Sequence, residues 1–135
     1  MRARRFLLAS LLLFVVALAW NGLVHLVLLR DARAAVQHLI RADFRHMAWL
    51  SVLITAALAG LFVWGYGRFA RNRSVSEAVR YGLFFGILAG LLVDANQYVL
   101  YPIPLWVAVA WFLGGLVEFQ VYALLLAKLF PPENG

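Results

Sequence analysis

The chain has 135 residues, 65% of them apolar and only 13% charged, with a mean hydropathy of +0.87. Soluble domains run nearer half apolar and a quarter charged, so composition excludes a water-soluble globule. With no cysteine there are no disulfides or thiolate metal sites, and twelve Lys and Arg against six Asp and Glu give a net charge of +6, which in so apolar a chain reads as membrane topology and not as nucleic-acid binding.

A helix rises about 1.5 Å per residue, so about 20 apolar residues cross a hydrocarbon core about 30 Å thick. The first such run, residues 6–29, holds 24 residues without a formal charge. Arg2, Arg4 and Arg5 before it and Ala17-Leu18-Ala19 within it also fit a secretory signal. The apolar run is too long for a signal core, which favours an uncleaved span. Asn21 and His25, four apart, share one face of it, with Ser10 on nearly the same line.

Residues 30–46 form the first connection. Val36, Leu39, Ile40, Phe44 and Met47 recur at helical spacing, while Arg33, Gln37, His38, Arg41 and Arg45 fall on other faces. This pattern predicts an amphipathic segment in the outer interface, with Arg33, Arg41 and Arg45 at the level of anionic lipid phosphates. An outward extension of the second span fits equally well. His25, His38 and His46 are scattered interface histidines, and no metal site is expected from them.

The second run, residues 47–67, carries a small-residue stripe of Ser51, Thr55 and Ala59, and is closed by Arg68, Arg71 and Arg73. Ser74 followed by Glu77 is a capping box that opens the third helix. In the third run, residues 81–101, Gly82, Gly86 and Gly90 clear one stripe for a close helix neighbour. Asp94 and Gln97 continue near that stripe and are expected to face protein. Tyr101-Pro102-Ile103-Pro104 is a short turn, so the third and fourth helices should form an antiparallel hairpin.

The fourth run, residues 104–127, places Gly115, Glu118 and Tyr122 on one face, with Gly115 read as a fourth packing glycine. Gln120 points about 160° from Glu118 and reads as a contact between subunits. By helical rise, Glu118 falls within about 3 Å of the midplane, Asp94 and Asn21 about 5 Å outward and His25 about 11 Å outward. His25, Gln97, Asp94, Asn21 and Glu118 thus descend from the outer surface to the centre. No Arg or Lys is available in the core to pair with the acids, so they either hold their protons or hold a cation. If neutral, they serve as hydrogen-bonding glue with Asn21, Gln97 or Tyr122.

With both termini inside, eight cationic residues lie on the cytoplasmic side and four (Arg30, Arg33, Arg41, Arg45) outside, which favours that orientation in an inner membrane. No phosphate loop, zinc-protease motif or nucleophile constellation is present, so no cofactor or enzymatic activity is expected. The stretch from Tyr81-Gly82-Leu83-Phe84-Phe85-Gly86 through Pro102-Ile103-Pro104 to Glu118 resembles small uncharacterised four-helix bacterial inner-membrane proteins, which implies a fold and a location. The size also looks like that of small multidrug transporters, whose essential glutamate lies in the first span; here the intramembrane glutamate is in the fourth.

The expected architecture is all-α: one polytopic domain, a four-transmembrane-helix bundle with an outer-interface segment. The leading functional expectation is an accessory or binding subunit that associates with membrane lipid or a partner, as a homodimer or within a larger complex. The alternative is a small proton- or cation-coupled transporter using Glu118 and Asp94.

Overall fold

In the computed structural model, residues 2–132 are described, and among them there is no strand; the chain is 86% helical. Four helical stretches are long and apolar enough to cross a membrane: Ala3–Leu28, Phe44–Phe69, Val75–Leu100 and Leu105–Leu129. The chain is therefore an all-α, multi-pass membrane protein, as its apolar runs predict. It divides into two units, Met1–Val63 and Trp64–Gly135, with the division inside the second long helix.

In the first unit, helix α1 (Ala3–Leu23) buries a narrow stripe of Ala9, Leu13 and Ala17, while Leu7, Leu8, Leu11 and Val15 stay exposed, as lipid-facing residues should. At its C-terminal end the chain widens into a π-helical turn, Val24–Leu28, closed by Leu29 N–H donating to Val24 O at 2.6 Å. Helix α2 (Arg30–Val36) and one 3₁₀ turn, Gln37–Leu39, follow, after which Ile40 is extended. Helix α3 runs from Phe44 to Phe69.

The segment between the first two long helices is thus neither one long amphipathic helix nor a continuous extension of α3. Arg41 forks onto Asp43, Nε to Oδ1 at 2.6 Å and Nη2 to Oδ2 at 3.0 Å, and this local bidentate pair holds a turn between the two helices. The apolar spacing that suggested one helix spans that break: Ala32 and Val36 are the buried pair of α2, while Phe44 and Met47 belong to α3.

In the second unit, the end of α3 meets helix α4 (Val75–Ala89) across a short turn. Ser74 caps α4, its Oγ accepting from Glu77 N–H at 3.2 Å. The Tyr66 ring stands edge-on to Tyr81, centroids 5.4 Å apart, and Gly65 leaves room for the Tyr81 hydroxyl, which comes within 2.5 Å of where a Cβ would sit. Helix α4 passes through a second π-helical turn, Gly90–Ala95, into helix α5 (Asn96–Leu100). After the proline turn, helix α6 (Leu105–Leu129) returns antiparallel to α4.

The seam of this hairpin is the glycine stripe. A Cβ on Gly82 would lie 2.8 Å from Phe119 O and 2.9 Å from Ala123 Cβ; one on Gly86 would lie 3.1 Å from Leu116 Cδ2; one on Gly90 would sit within 2.8 Å of three atoms of the Phe112 ring. Removing three side chains lets the backbones approach until dispersion contacts hold them, which is the main attraction available between helices in lipid. Gln120 completes the seam, its Nε2 donating to Val79 O at 3.1 Å. Its place is inside the hairpin and not, as its angle from Glu118 suggested, between subunits: the side that faces away from the acid is the side α4 covers.

Candidate functional site

The second unit carries two carboxyls within its long apolar helices. Glu118, half-buried on α6, accepts a hydrogen bond from the Tyr122 hydroxyl one helical turn on. Asp94 is half-buried in the π-turn that joins α4 to α5, and the contact of Gly90 with Phe112 sets this turn nearer the start of α6 than Glu118. Neither acid forms an ion pair among the described residues. The four arginines of this unit lie at or beside the α3–α4 turn, and Lys128 lies in the last turn of α6.

The π-turn decides where Asp94 points. A turn closed by i→i+5 bonds holds an extra residue, so the phase set by Gly82, Gly86 and Gly90 does not carry through to Asp94 as it would in an unbroken α-helix. Gly90 opens this turn with the Phe112 ring lying over its backbone. Asn96 supports it, donating from Nδ2 to Leu92 O at 2.9 Å and so satisfying a carbonyl inside the wide turn. Gln97, also half-buried, makes no side-chain hydrogen bond with the described residues; its backbone carbonyl accepts from Tyr101 N–H at 2.9 Å and closes α5.

Glu118 shares its face of α6 with Trp111, Gly115 and Tyr122, at helical spacings of seven, three and four residues. Gly115 is not a packing glycine. A Cβ there meets nothing within 4 Å, because α4 rests on Phe112, Leu116, Phe119 and Ala123, and Gly115 lies on the flank of that contact. Next to this opening, Trp111 Nε1 is buried without a hydrogen-bond partner among the described residues. Tyr122 is itself buried and sets its ring edge-on to Phe119 at 5.8 Å, which fixes the direction of its hydroxyl toward Glu118.

Asn21 and His25 belong to the first unit. Asn21 lies in the last turn of α1, where its carbonyl and that of Trp20 share the Val24 N–H. His25 is half-buried in the Val24–Leu28 π-turn, within electrostatic reach of Arg33. The chain thus places His25 and Asp94 each in its own π-turn. Of the three arginines expected at lipid phosphates, Arg41 is committed to Asp43, whereas Arg33 and Arg45 are exposed and make no ion pair with the described residues. No group of three or more His, Asp or Glu that could hold a metal gathers among the described residues.

Asn96, Trp111 and the two π-turns have no clear signature in sequence. An inserted residue leaves the local apolar content unchanged, and the only cue here is the run of polar side chains Asp94, Asn96 and Gln97 directly after a glycine series. Compared with family models, curated proteins and solved structures, the chain matches none.

Proposed function

We propose that the protein is a small multi-pass protein of the cytoplasmic membrane, with both termini on the cytoplasmic side, whose α4–α6 hairpin uses Asp94 and Glu118 as a proton- or cation-coupling site for transport. The observation that carries this reading is two half-buried carboxyls within the apolar helices of one hairpin, neither of them ion-paired among the described residues. A lone charge at the bilayer centre costs at least about 2.5 to 3.5 kcal/mol on insertion scales. Each acid is stable there when it is protonated or holds a cation, and changes state when that occupant leaves. Tyr122 holds Glu118 in place, and the π-turn gives Asp94 a backbone that can revert to regular helix with a small shift. The cytoplasmic orientation is supported by the bias of eight cationic residues against four.

Gly82, Gly86 and Gly90 are covered by α6 of the same chain, so an accessory subunit would dock through a surface other than the glycine stripe. The deciding experiment is carboxyl infrared difference spectroscopy on the protein in lipid, from about pH 4 to about pH 10, with Asp94→Asn and Glu118→Gln to assign the bands. A carboxyl band that titrates in that window and disappears in one of the variants supports a coupling site. Bands that stay constant throughout the window sink it and leave the acids as hydrogen-bonding glue.

A further inference from the structure

We propose that the α3–α4 turn is a binding surface for the headgroups of anionic phospholipids. The turn is held in shape from within. The Glu77 carboxylate accepts the backbone N–H groups of three consecutive residues, Arg71 at 2.9 Å, Asn72 at 2.9 Å and Arg73 at 2.8 Å, while Arg73 takes a left-handed backbone with φ of 52°. Three N–H groups converging on one anion form a nest, and here the chain supplies its own anion. The one acidic side chain of the turn is thereby bound to the backbone.

Three of its four cations, Arg68, Arg71 and Arg80, project from that fixed frame. Arg68, Arg71 and Arg80 are exposed and make no ion pair with the described residues. Arg68 is the penultimate residue of a 26-residue helix, which rises about 39 Å against a hydrocarbon core of about 30 Å, so its guanidinium stands at headgroup level. Arg80 lies midway between the buried Ala78 and Gly82 and therefore on the side of α4 turned away from the hairpin seam, where a long side chain can snorkel to headgroup level.

The neighbours of these arginines select the occupant. Trp64 is 54% exposed and Phe69 is 65% exposed, which places two large aromatic surfaces beside the charges. A soluble anion would use only the charges; a phospholipid uses both, with its phosphate forked by guanidinium groups and its glycerol and upper acyl chain against the rings. This inference does not rest on the carboxyl-pair reading, because none of its residues touches Asp94 or Glu118.

Trp64 is also the reporter. In a full-length chain keeping Trp64 and carrying Phe at Trp20, Trp49, Trp106 and Trp111, brominated phosphatidylglycerol and brominated phosphatidylcholine are titrated separately into phosphatidylcholine vesicles, and quenching of Trp64 is read. The expected result is preferential quenching by the anionic lipid, by about fivefold or more, shrinking as salt is raised. Substituting Arg68→Gln, Arg71→Gln, Arg73→Gln and Arg80→Gln together removes the preference, and lysine at the same four positions keeps most of it. Equal quenching by the two lipids, or a preference that survives high salt or the four glutamines, overturns the proposal. If the four-glutamine chain does not insert, the salt titration of the parent chain decides alone.

Discussion

Helix α6 presents two faces built on opposite plans. One carries Phe112, Leu116, Phe119 and Ala123 and is pressed against α4 until there is no room for three Cβ atoms. The other carries Trp111, Gly115, Glu118 and Tyr122, and there a glycine faces open space while an indole N–H goes without a partner. In lipid, where helices gain nothing by hiding apolar surface from each other, a close seam is what holds a hairpin together. The polar face is free to be loosely filled because the seam already fixes the helix. A glycine in a span therefore means contact on α4 and an opening on α6, and the partner side chains decide which.

The largest effect expected from disturbing this contrast is at Gly82. Alanine there drives a Cβ into the Phe119 carbonyl, a backbone atom that cannot swing aside, so the hairpin must open. A loss of about 2 to 3 kcal/mol is expected, at the upper end of overpacking costs. Equilibrium unfolding in mixed lipid–detergent micelles measures it. A Gly82→Ala chain as stable as the parent would mean that the seam is looser than its geometry indicates.

Much of this contrast is legible in the sequence, and the reasons are physical. Helix length and absence of charge identify the four spans because an apolar solvent imposes both, and the Gly82, Gly86 and Gly90 series marks a seam because few other functions need three cleared positions in line. Ser74 and Glu77 mark the start of α4 correctly, although Glu77 turns its carboxylate onto the preceding turn and not onto the Ser74 N–H as a capping box would. What periodicity missed is phase. Asp94 and Gln97 are half-buried as expected, but a π-turn shifts every later residue while leaving composition untouched, so their phase relative to the glycine stripe could not be read through Gly90–Ala95. Gly115 and Gln120 failed for a related reason: an angle on one helix gives their direction, but only the placement of α4 says what lies there.

On the polar face, the intermediate effect is at Tyr122. Its hydroxyl is the one side-chain hydrogen-bond partner Glu118 has among the described residues, and hydrogen bonds within membranes average about 0.6 kcal/mol by double-mutant cycles. Tyr122→Phe is expected to cost about that much stability. Combined with Glu118→Gln, the two losses should sum to more than the double variant loses, since each removes the same bond. Strict additivity would show that Tyr122 and Glu118 do not act as a pair.

The smallest effect, and the sharpest contrast with Gly82, is expected at Gly115. Both are helical glycines in the same hairpin, and alanine is intrinsically favoured over glycine in a helix by about 1 kcal/mol. At Gly82 the clash overwhelms that preference; at Gly115 nothing within 4 Å opposes the new methyl group, so Gly115→Ala should leave stability unchanged or raise it by up to about 1 kcal/mol. Larger residues at Gly115 test the opening beside Glu118: if the space serves the coupling chemistry, Gly115→Leu should abolish the titrating carboxyl signal while unfolding stays close to that of the parent. A variant that loses both together would place Gly115 in the structural seam after all, and one that loses neither would leave the opening without a part in the carboxyl chemistry.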